Sequence, residues 1–449
     1  MADDVGVVGS GAAGMAAAFR LQQAGYRVRI YEANDYLGGR IRTARRDGFL
    51  IDQGASILPT GYRSLLGIVG AAGLDHELVE GGSVLGVARD GRIHELDGRH
   101  LGRSALQTGV VSPRSKLLLT RLAVDVFRAR AVLDYEDLSR AADYDGRSAA
   151  DYAAARLNEE ILEYLVDPAL RALVGPAAED LSVVDLWFCL QKFIGARFLG
   201  FAGGMGRYPE LLGRRFDVAL GARVLAVEER GDAVEVTWRG TDGVEHTDTV
   251  AGCVVTATAP AAVEILPGLD RPRAELLRRI RYNRQVNPSF ALARPPVGIR
   301  AAYVEVPRRT HPGLLAVVME HHKAPGRVPA GKGMVTVYTE TSWAEELLGD
   351  DDDVVSKKVL EALESVCPGV ADSVEFAAVS RWERMGPITW PGFWREMQLF
   401  HDIRRRRDRR IQLAGDYFAT PNLNTASTAG ERAARDLLGA LVGRGPSTR

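Results

Sequence analysis

Val5-Gly6-Val7-Val8-Gly9-Ser10-Gly11-Ala12-Ala13-Gly14 is an apolar run that breaks into a glycine turn and then into an alanine-rich segment. The run has the pattern of a strand buried on both faces of a parallel sheet. Ala12 to Ala24 is expected to be a helix, stopped by Gly25, with Val28-Arg29-Ile30-Tyr31 as the next strand. Strand, helix and strand in this order form a βαβ unit with a right-handed crossover. Gly9, Ser10, Gly11, Ala12, Ala13 and Gly14 fit G-x-G-x-x-G in the context that gives the pattern its mechanism. Gly9 permits the tight turn, Gly11 admits a pyrophosphate close to the backbone, and Gly14 lets helix and strand pack. The helix N-terminus then offers N–H groups and a positive dipole end to phosphate. Glu32 closes the second strand. A carboxylate there accepts hydrogen bonds from an adenosine ribose and repels a 2′-phosphate, so NADP is not expected in this pocket.

Around this unit the chain has 449 residues, enough for two or three domains. Hydrophobic residues make up 46% and charged residues 26%, ordinary for a globular protein with a large core. The net charge of −1 supplies no field that would gather nucleic acid or an anionic membrane. Cys189, Cys253 and Cys367 form no metal spacing or disulfide framework, which fits a reducing compartment. Met1-Ala2-Asp3-Asp4 runs straight into the first strand, so no signal peptide is expected and the location read from the sequence is cytoplasmic. No apolar run has the length of a transmembrane helix. Peripheral membrane contact is left open, as is the oligomeric state.

From Leu96 to Leu212 the pattern is helical, and Trp187 to Phe201 is apolar enough for a core helix or a channel wall. Val218 to Trp238 reads as two strands around Arg230-Gly231-Asp232, and Phe290 to Tyr338 alternates strands with Pro/Gly turns. Asp350 to Val366 is an expected helix with an acidic N-terminus. The arginines Arg404 to Arg407 read as solvated surface. Ile411-Gln412-Leu413-Ala414 is an expected last strand and Thr425 to Val442 a last helix.

Glu32-Ala33 followed by Leu37-Gly38-Gly39-Arg40-Ile41-Arg42-Thr43 resembles the flavin amine oxidase superfamily, which includes monoamine oxidases, protoporphyrinogen oxidases and phytoene-type desaturases. The resemblance implies FAD as cofactor, with Gly39 and Arg40 at its pyrophosphate. Asp52-Gln53-Gly54-Ala55, with Ser56 following, is similar to the segment that approaches the flavin ring. Gly203-Gly204-Met205 resembles the family's return turn, and Ala222-Arg223-Val224 its adenine-holding strand. Leu413-Ala414-Gly415-Asp416 resembles the C-terminal motif whose acid binds the ribityl or phosphate region. Ala429-Gly430-Glu431-Arg432 continues that motif, and the helix N-terminus near Asn424, Thr425 and Ala426 is expected at the pyrimidine end of the flavin. The implied fold is α/β, a Rossmann-type FAD-binding domain of the glutathione-reductase-like, amine oxidase type interleaved with an α+β substrate domain. The expected FAD-binding segments are 1–95, 203–270 and 382–449; the expected substrate-binding segments are 96–202 and 271–381.

Several family features are absent from the sequence. No second glycine turn follows a strand and opens a helix, the Gly203–Gly206 run showing no strand before it, so no NAD(P)H domain is expected. Electrons are expected to leave to oxygen or a quinone. The lysine that monoamine oxidases carry near the flavin aligns with Asn287, and one tyrosine of their amine cage aligns with Asn422. The cysteine that some of them link to FAD is missing around Gly386 to Phe393, so FAD is expected to be non-covalent. Arg381-Trp382, Gly386-Pro387 and Trp390-Pro391-Gly392 are similar to the flavin-covering loop of the desaturase and porphyrinogen-oxidase branch. Asn287, Trp390, Tyr417 and Asn422 are the substrate-site candidates. His321 and His322 are weaker candidates for a catalytic role, and no metal site is expected. The expected function is an FAD-dependent oxidase or dehydrogenase that takes a hydride from a lipophilic small molecule, with C–C desaturation favoured. Amine oxidation is the alternative. Non-redox isomerisation on a reduced flavin, or a binding protein that has lost FAD, are further readings.

Overall fold

Five parallel strands form the first sheet, in the spatial order Asp217–Leu220, Arg27–Glu32, Asp4–Val8, Gly252–Val255, Ile411–Leu413. The computed structural model describes residues 4–100, 103–104 and 107–442; residues 1–3, 101–102, 105–106 and 443–449, which fall within the segments expected above, lie outside the described residues. Val5, Val7, Val8, Cys253, Val254 and Val255 are almost wholly buried, as strands covered on both faces must be. The helix Ala12–Gln23 crosses from the first strand to the second. It is buried nearly all round because the final helix, Leu423–Val442, lies against it. Small residues make that approach feasible: a Cβ added at Gly430 would stand 2.1 Å from the Ala13 carbonyl oxygen. The meander Arg223–Arg230, Ala233–Arg239, Glu245–Val250 forms a separate antiparallel sheet.

The second large sheet has seven strands, in the order Val374–Trp382, Gln285–Leu292, Gly333–Thr339, Leu314–Met319, Tyr303–Glu305, Val84–Arg89, Arg92–Asp97. One face packs on the helix Asp352–Leu363 through Val355, Val359 and Leu363. The hairpin Val84–Asp97, which the sequence divides at residue 95, belongs wholly to this sheet. Val84–Arg89 pairs parallel with Tyr303–Glu305, and Val87 and Ala88 are buried by doing so. Helices Pro113–Ala129, Ala149–Arg156, Asp167–Leu173 and Val183–Phe193 build the helical part of the chain. A π-helical turn, Leu162–Val166, leads into Asp167–Leu173.

Two elements depart from the expected pattern. Phe393–Arg407 is a helix to which the sequence pattern gives no element, the covering loop reading as far as Gly392 and the arginine run from Arg404. Gly392 starts it with φ +94°, and Asp145 accepts from the Trp394 and Arg395 N–H groups, a capping partner remote in sequence. Phe198–Phe201 is a strand within the stretch read as helical. It pairs antiparallel with Leu58–Pro59 and Leu78–Glu80.

Candidate active site

The dinucleotide turn is built as its residues demand. Gly9 has φ +95°, and a Cβ there would meet Thr256 Oγ1 at 2.7 Å. A Cβ on Gly14 would stand 1.9 Å from the Gly9 carbonyl oxygen, so only glycine lets the turn cross its own helix this closely. Gly11 caps the helix with no side-chain bond, and no acidic residue lies in the first turn. The helix N-terminus therefore presents N–H groups and a positive dipole end without a competing carboxylate.

Glu32 is buried and braces the turn. One carboxylate oxygen accepts from Ser10 N at 2.9 Å and Ser10 Oγ at 2.6 Å; the other accepts from Asn34 N at 2.9 Å and Nδ2 at 2.7 Å. A carboxylate has about four acceptor positions, so a ribose hydroxyl bound here takes the place of one of these donors. Ser10 Oγ also accepts from Gly38 N, tying the glycine turn to the Gly38-Gly39-Arg40 segment. Ala33 is exposed beyond the strand, and Val224 is buried at the start of Arg223–Arg230. Ala222 N donates to the Glu32 carbonyl, which sets that strand beside the end of the dinucleotide motif.

A cavity of about 370 Å³ runs on from this turn. Its wall includes Gly11, Ala12, Arg40, Asp416, the successive residues Gly54, Ala55 and Ser56, and Ala426. Motifs from the two ends of the chain thus share one wall. Arg40 Nη1 lies 2.7 Å from Asp416 Oδ2 and also donates to the Met385 carbonyl. Burial works against the Arg40 charge, but Asp416 outweighs it and raises the guanidinium above its usual range. Gly415 is extended against the Tyr417 ring. Thr425 is buried, its hydroxyl donating to the Thr420 carbonyl.

Below Gly54–Ser56 lies a buried ionic group. Asp52 accepts from Lys323 Nζ at 2.8 Å and lies 2.9 Å from Arg327; Glu320 accepts from Arg327 at 2.6 Å. Burial opposes ionisation of Asp52, but Lys323 and Arg327 hold its carboxyl down at about 2. Its other oxygen accepts from Thr43 Oγ1 and Met205 N, and Gly206 N donates to Thr43. This network positions the segment that leads into the cavity. It also corrects the reading of Gly203–Gly206. A strand does precede that turn, and the helix Arg207–Gly213 follows it. The strand is antiparallel to its neighbours, however, and the Met205 and Gly206 N–H groups are already bonded, so the turn offers no second phosphate cradle.

The rest of the wall is apolar helix and sheet face. Leu170, Leu173, Leu186, Leu190 and Phe193 come from the helices, and Ile194, largely exposed, stands beyond Phe193. Trp187 to Phe201 thus contributes a cavity wall, while Trp187 and Phe188 themselves are buried in the core. From the sheet come Gln285, Tyr303, Glu305 and Tyr338, none of which the sequence singled out. Their signal is weak because each strand supplies one or two residues, and the inward face is defined only once the strand partners are known.

Of the substrate-site candidates, Asn422 lines the cavity. Its side-chain carbonyl accepts from Thr425 N at 2.9 Å, so it also caps the final helix. Asn287, Trp390 and Tyr417 do not line the wall. Asn287 is buried on its strand beside Gln285, and Gln285, two residues earlier on the same face, reaches the cavity instead. Trp390 packs edge-on against Phe393 with Arg279 over its ring. Tyr417 is fully buried against Phe418. His321 and His322 also lie off the wall: His321 is bound to the Met334 backbone and His322 to the Ile299 carbonyl. Burial pushes His321 down to about 4. Among the described residues, no group of His, Cys, Asp and Glu could hold a metal ion.

Residues 12–438 match the flavin containing amine oxidoreductases. The chain belongs to that family. It is an FAD-dependent oxidoreductase, and the open helix N-terminus, the glycine cradle and the Arg40–Asp416 wall fit a dinucleotide held without a covalent bond. Coproporphyrinogen III oxidase of Bacillus subtilis (strain 168) is 22% identical over 419 residues, covering 85% of this chain and 86% of that one. The flavin-dependent L-tryptophan oxidase RebO of Lentzea aerocolonigenes is 26% identical over 329 residues, 64% and 65% of the two chains. Among solved structures, cyclohexylamine oxidase of Brevibacterium oxydans IH-35A superposes with a TM-score of 0.75 at 18% identity, covering 96% of this chain and 98% of that one. Putrescine oxidase bound to putrescine gives 0.74 at 17% identity, with 99% and 100% coverage. Among the described residues no helix is long and apolar enough to cross a membrane.

Proposed function

We propose that this flavoprotein oxidises a lipophilic small molecule in the cavity beyond Gly54–Ser56, and that the favoured reaction is removal of a hydride from carbon. The observation that carries this reading is the composition of the wall. Leu170, Leu173, Leu190 and Phe193 exclude water, and Arg40, among the described residues the sole lysine or arginine on the wall, is already paired with Asp416. Such a wall rewards the apolar surface of a substrate.

FAD supplies the hydride acceptor when bound. The residues of the chain orient the substrate and keep the space dry. Gly11, Arg40, Asp416 and Ala426 would hold the cofactor, Ser56 and Tyr338 close the sheet side, and the helix residues position the substrate's apolar body. Oxygen or a quinone serves as the electron acceptor in this reading, and the buried, unpaired Cys189, Cys253 and Cys367 suit the reducing cytoplasm. The division into an FAD-binding part, built on the parallel sheet, and a substrate-binding part, built on the seven-stranded sheet and the helices, belongs to the same proposal.

Amine oxidation is the second reading. Tyr62, Tyr303 and Tyr338 give the cavity aromatic walls, which suit a neutral amine as well as a ring. Product analysis separates the two. Turnover with cyclic ketones or terpenoids should yield products two hydrogens lighter with the skeleton intact, and each turnover of a porphyrinogen should remove two hydrogens on the way to the porphyrin. Aldehyde or imine formed from amines, with the other compounds untouched, would give the second reading precedence.

A further inference from the structure

The cavity wall carries one acid with no partner. Among the described residues the Glu305 carboxyl makes no hydrogen bond or ion pair; Tyr303 and Val304 on the same strand are buried, and Glu305 is partly exposed on the cavity wall. The neighbouring arginines are committed elsewhere: Arg171 donates to the Val306, Pro312 and Leu314 carbonyls, and Arg308 pairs with Asp167 and Glu179. The other ionisable wall residues are Arg40 and Asp416, paired with each other, the tyrosines Tyr62, Tyr303 and Tyr338, and Cys189. Burial pushes the Glu305 carboxyl up to about 8, which favours its protonated form at neutral pH. A carboxyl set in an apolar wall without a partner opposes folding. A ligand that pairs with it removes that cost.

The sheet register fixes where such a ligand would reach. Glu305 pairs with Ala316, and Ala316 pairs with Tyr338. Residues in register share a face, so Tyr338, Ala316 and Glu305 form one row across the cavity wall. Ala316, having only a methyl group, leaves the space above it open. At one end of the row the Tyr338 hydroxyl donates to Ser56 Oγ at 2.8 Å, in the flavin segment. The other end, two strands away, is roughly 10 Å from it across the sheet.

We propose that Glu305 anchors a basic nitrogen at the far end of an elongated apolar substrate, about 10 Å from the part presented at Ser56 and Tyr338. The substrate class is then an apolar chain or ring system carrying a distal amine, whichever bond is oxidised. This inference rests on the reading that the cavity receives the substrate. When the ammonium enters, its charge favours the carboxylate; Glu305 loses its proton to solvent and a charge-assisted hydrogen bond forms. Among the described residues no unpaired cation on the wall competes for it, and no carboxylate other than the paired Asp416 repels it.

Calorimetry on the FAD-loaded full chain tests the proposal, with the flavin reduced by dithionite under anaerobic conditions so that binding is read without turnover. The probes are heptylammonium, heptan-1-ol and heptanoate. Wild type should bind heptylammonium about tenfold or more tighter than heptan-1-ol, with heptanoate weakest. Glu305→Gln should lose about tenfold or more for heptylammonium while heptan-1-ol changes by less than about twofold. In wild type alone, heptylammonium binding should release a proton at neutral pH, seen as a heat that depends on the buffer's ionisation enthalpy. Equal affinity for amine and alcohol in wild type, an unchanged Glu305→Gln affinity, or no proton release would overturn it. Failure of the underlying oxidase reading shows elsewhere, as a flavin that no lipophilic compound reduces.

Discussion

Arg40, from the segment after the second strand, and Asp416, from the segment after the last, meet at 2.7 Å on the cavity wall. The pair joins the N-terminal and C-terminal motifs into one surface, and Asp416 keeps the Arg40 guanidinium charged in a partly buried setting. Arg40→Ala and Asp416→Ala should each weaken FAD retention more than they weaken folding. A charge-assisted contact is worth roughly 1.5–3 kcal/mol, or about tenfold to a hundredfold in affinity. Flavin-to-protein ratios measured after dialysis read this directly; wild-type ratios in both variants would contradict the assignment.

The cofactor should come away without bond cleavage. Purified protein is expected to be yellow, and acid precipitation should leave FAD in the supernatant. Of the free cysteines only Cys189 lines the cavity, and burial raises its thiol pKa, which keeps it protonated and unreactive. Flavin that stays with the pellet would refute the non-covalent mode.

Reduced nicotinamides should be poor reductants of the flavin. The second glycine turn, Gly203–Gly206, has its N–H groups bonded to Asp52 and Thr43, and Glu32 disfavours a 2′-phosphate at the first. Anaerobic mixing with NADPH or NADH is expected to leave the visible flavin band intact. Fast bleaching would reveal a nicotinamide site.

Asp185 makes a pH-dependent contribution to stability. It is fully buried, accepts from the Thr420 hydroxyl at 2.7 Å, and is pushed up to about 7 by burial, with Asp145 nearby adding to the rise. Its folded-state value lies above the unfolded value of about 4. Between those pH values the folded chain holds a proton that the unfolded chain has lost, so stability falls as pH rises through the window. Asp185→Asn keeps the acceptor for Thr420 and removes the charge. The variant should match wild type near pH ~4 and gain on it by on the order of 1 kcal/mol per pH unit up to about 7. Urea denaturation at stepped pH measures this, and a gap independent of pH would show that Asp185 is not titrating there.

The parts of the site carried by contiguous motifs were legible in the sequence. The glycine turn, Arg40, Gly54–Ser56 and Asp416 are short runs in which backbone shape and residue type must agree, so the pattern survives in one dimension. Glu305 was not legible. Its strand is three residues long, and nothing in Tyr303-Val304-Glu305 says which face meets a cavity until Ala316 and Tyr338 are seen beside it. Asn287 and Gln285 show how small the margin is. The two lie on one face of one strand, and only the nearer reaches the cavity. The helix Phe393–Arg407 was hidden because Pro391-Gly392 reads as a loop and its cap, Asp145, is remote in sequence.

Anaerobic mixing of the FAD-loaded protein with a substrate panel tests the central claim most directly, because it reads hydride removal without depending on the electron acceptor. The panel sets cyclic ketones, terpenoids and porphyrinogens beside primary and secondary amines, and the visible flavin band is followed in time. The account predicts fast bleaching by one or more of the apolar carbon substrates, with a product lacking two hydrogens at carbon. Bleaching by amines alone, with aldehyde or imine as product, would contradict it.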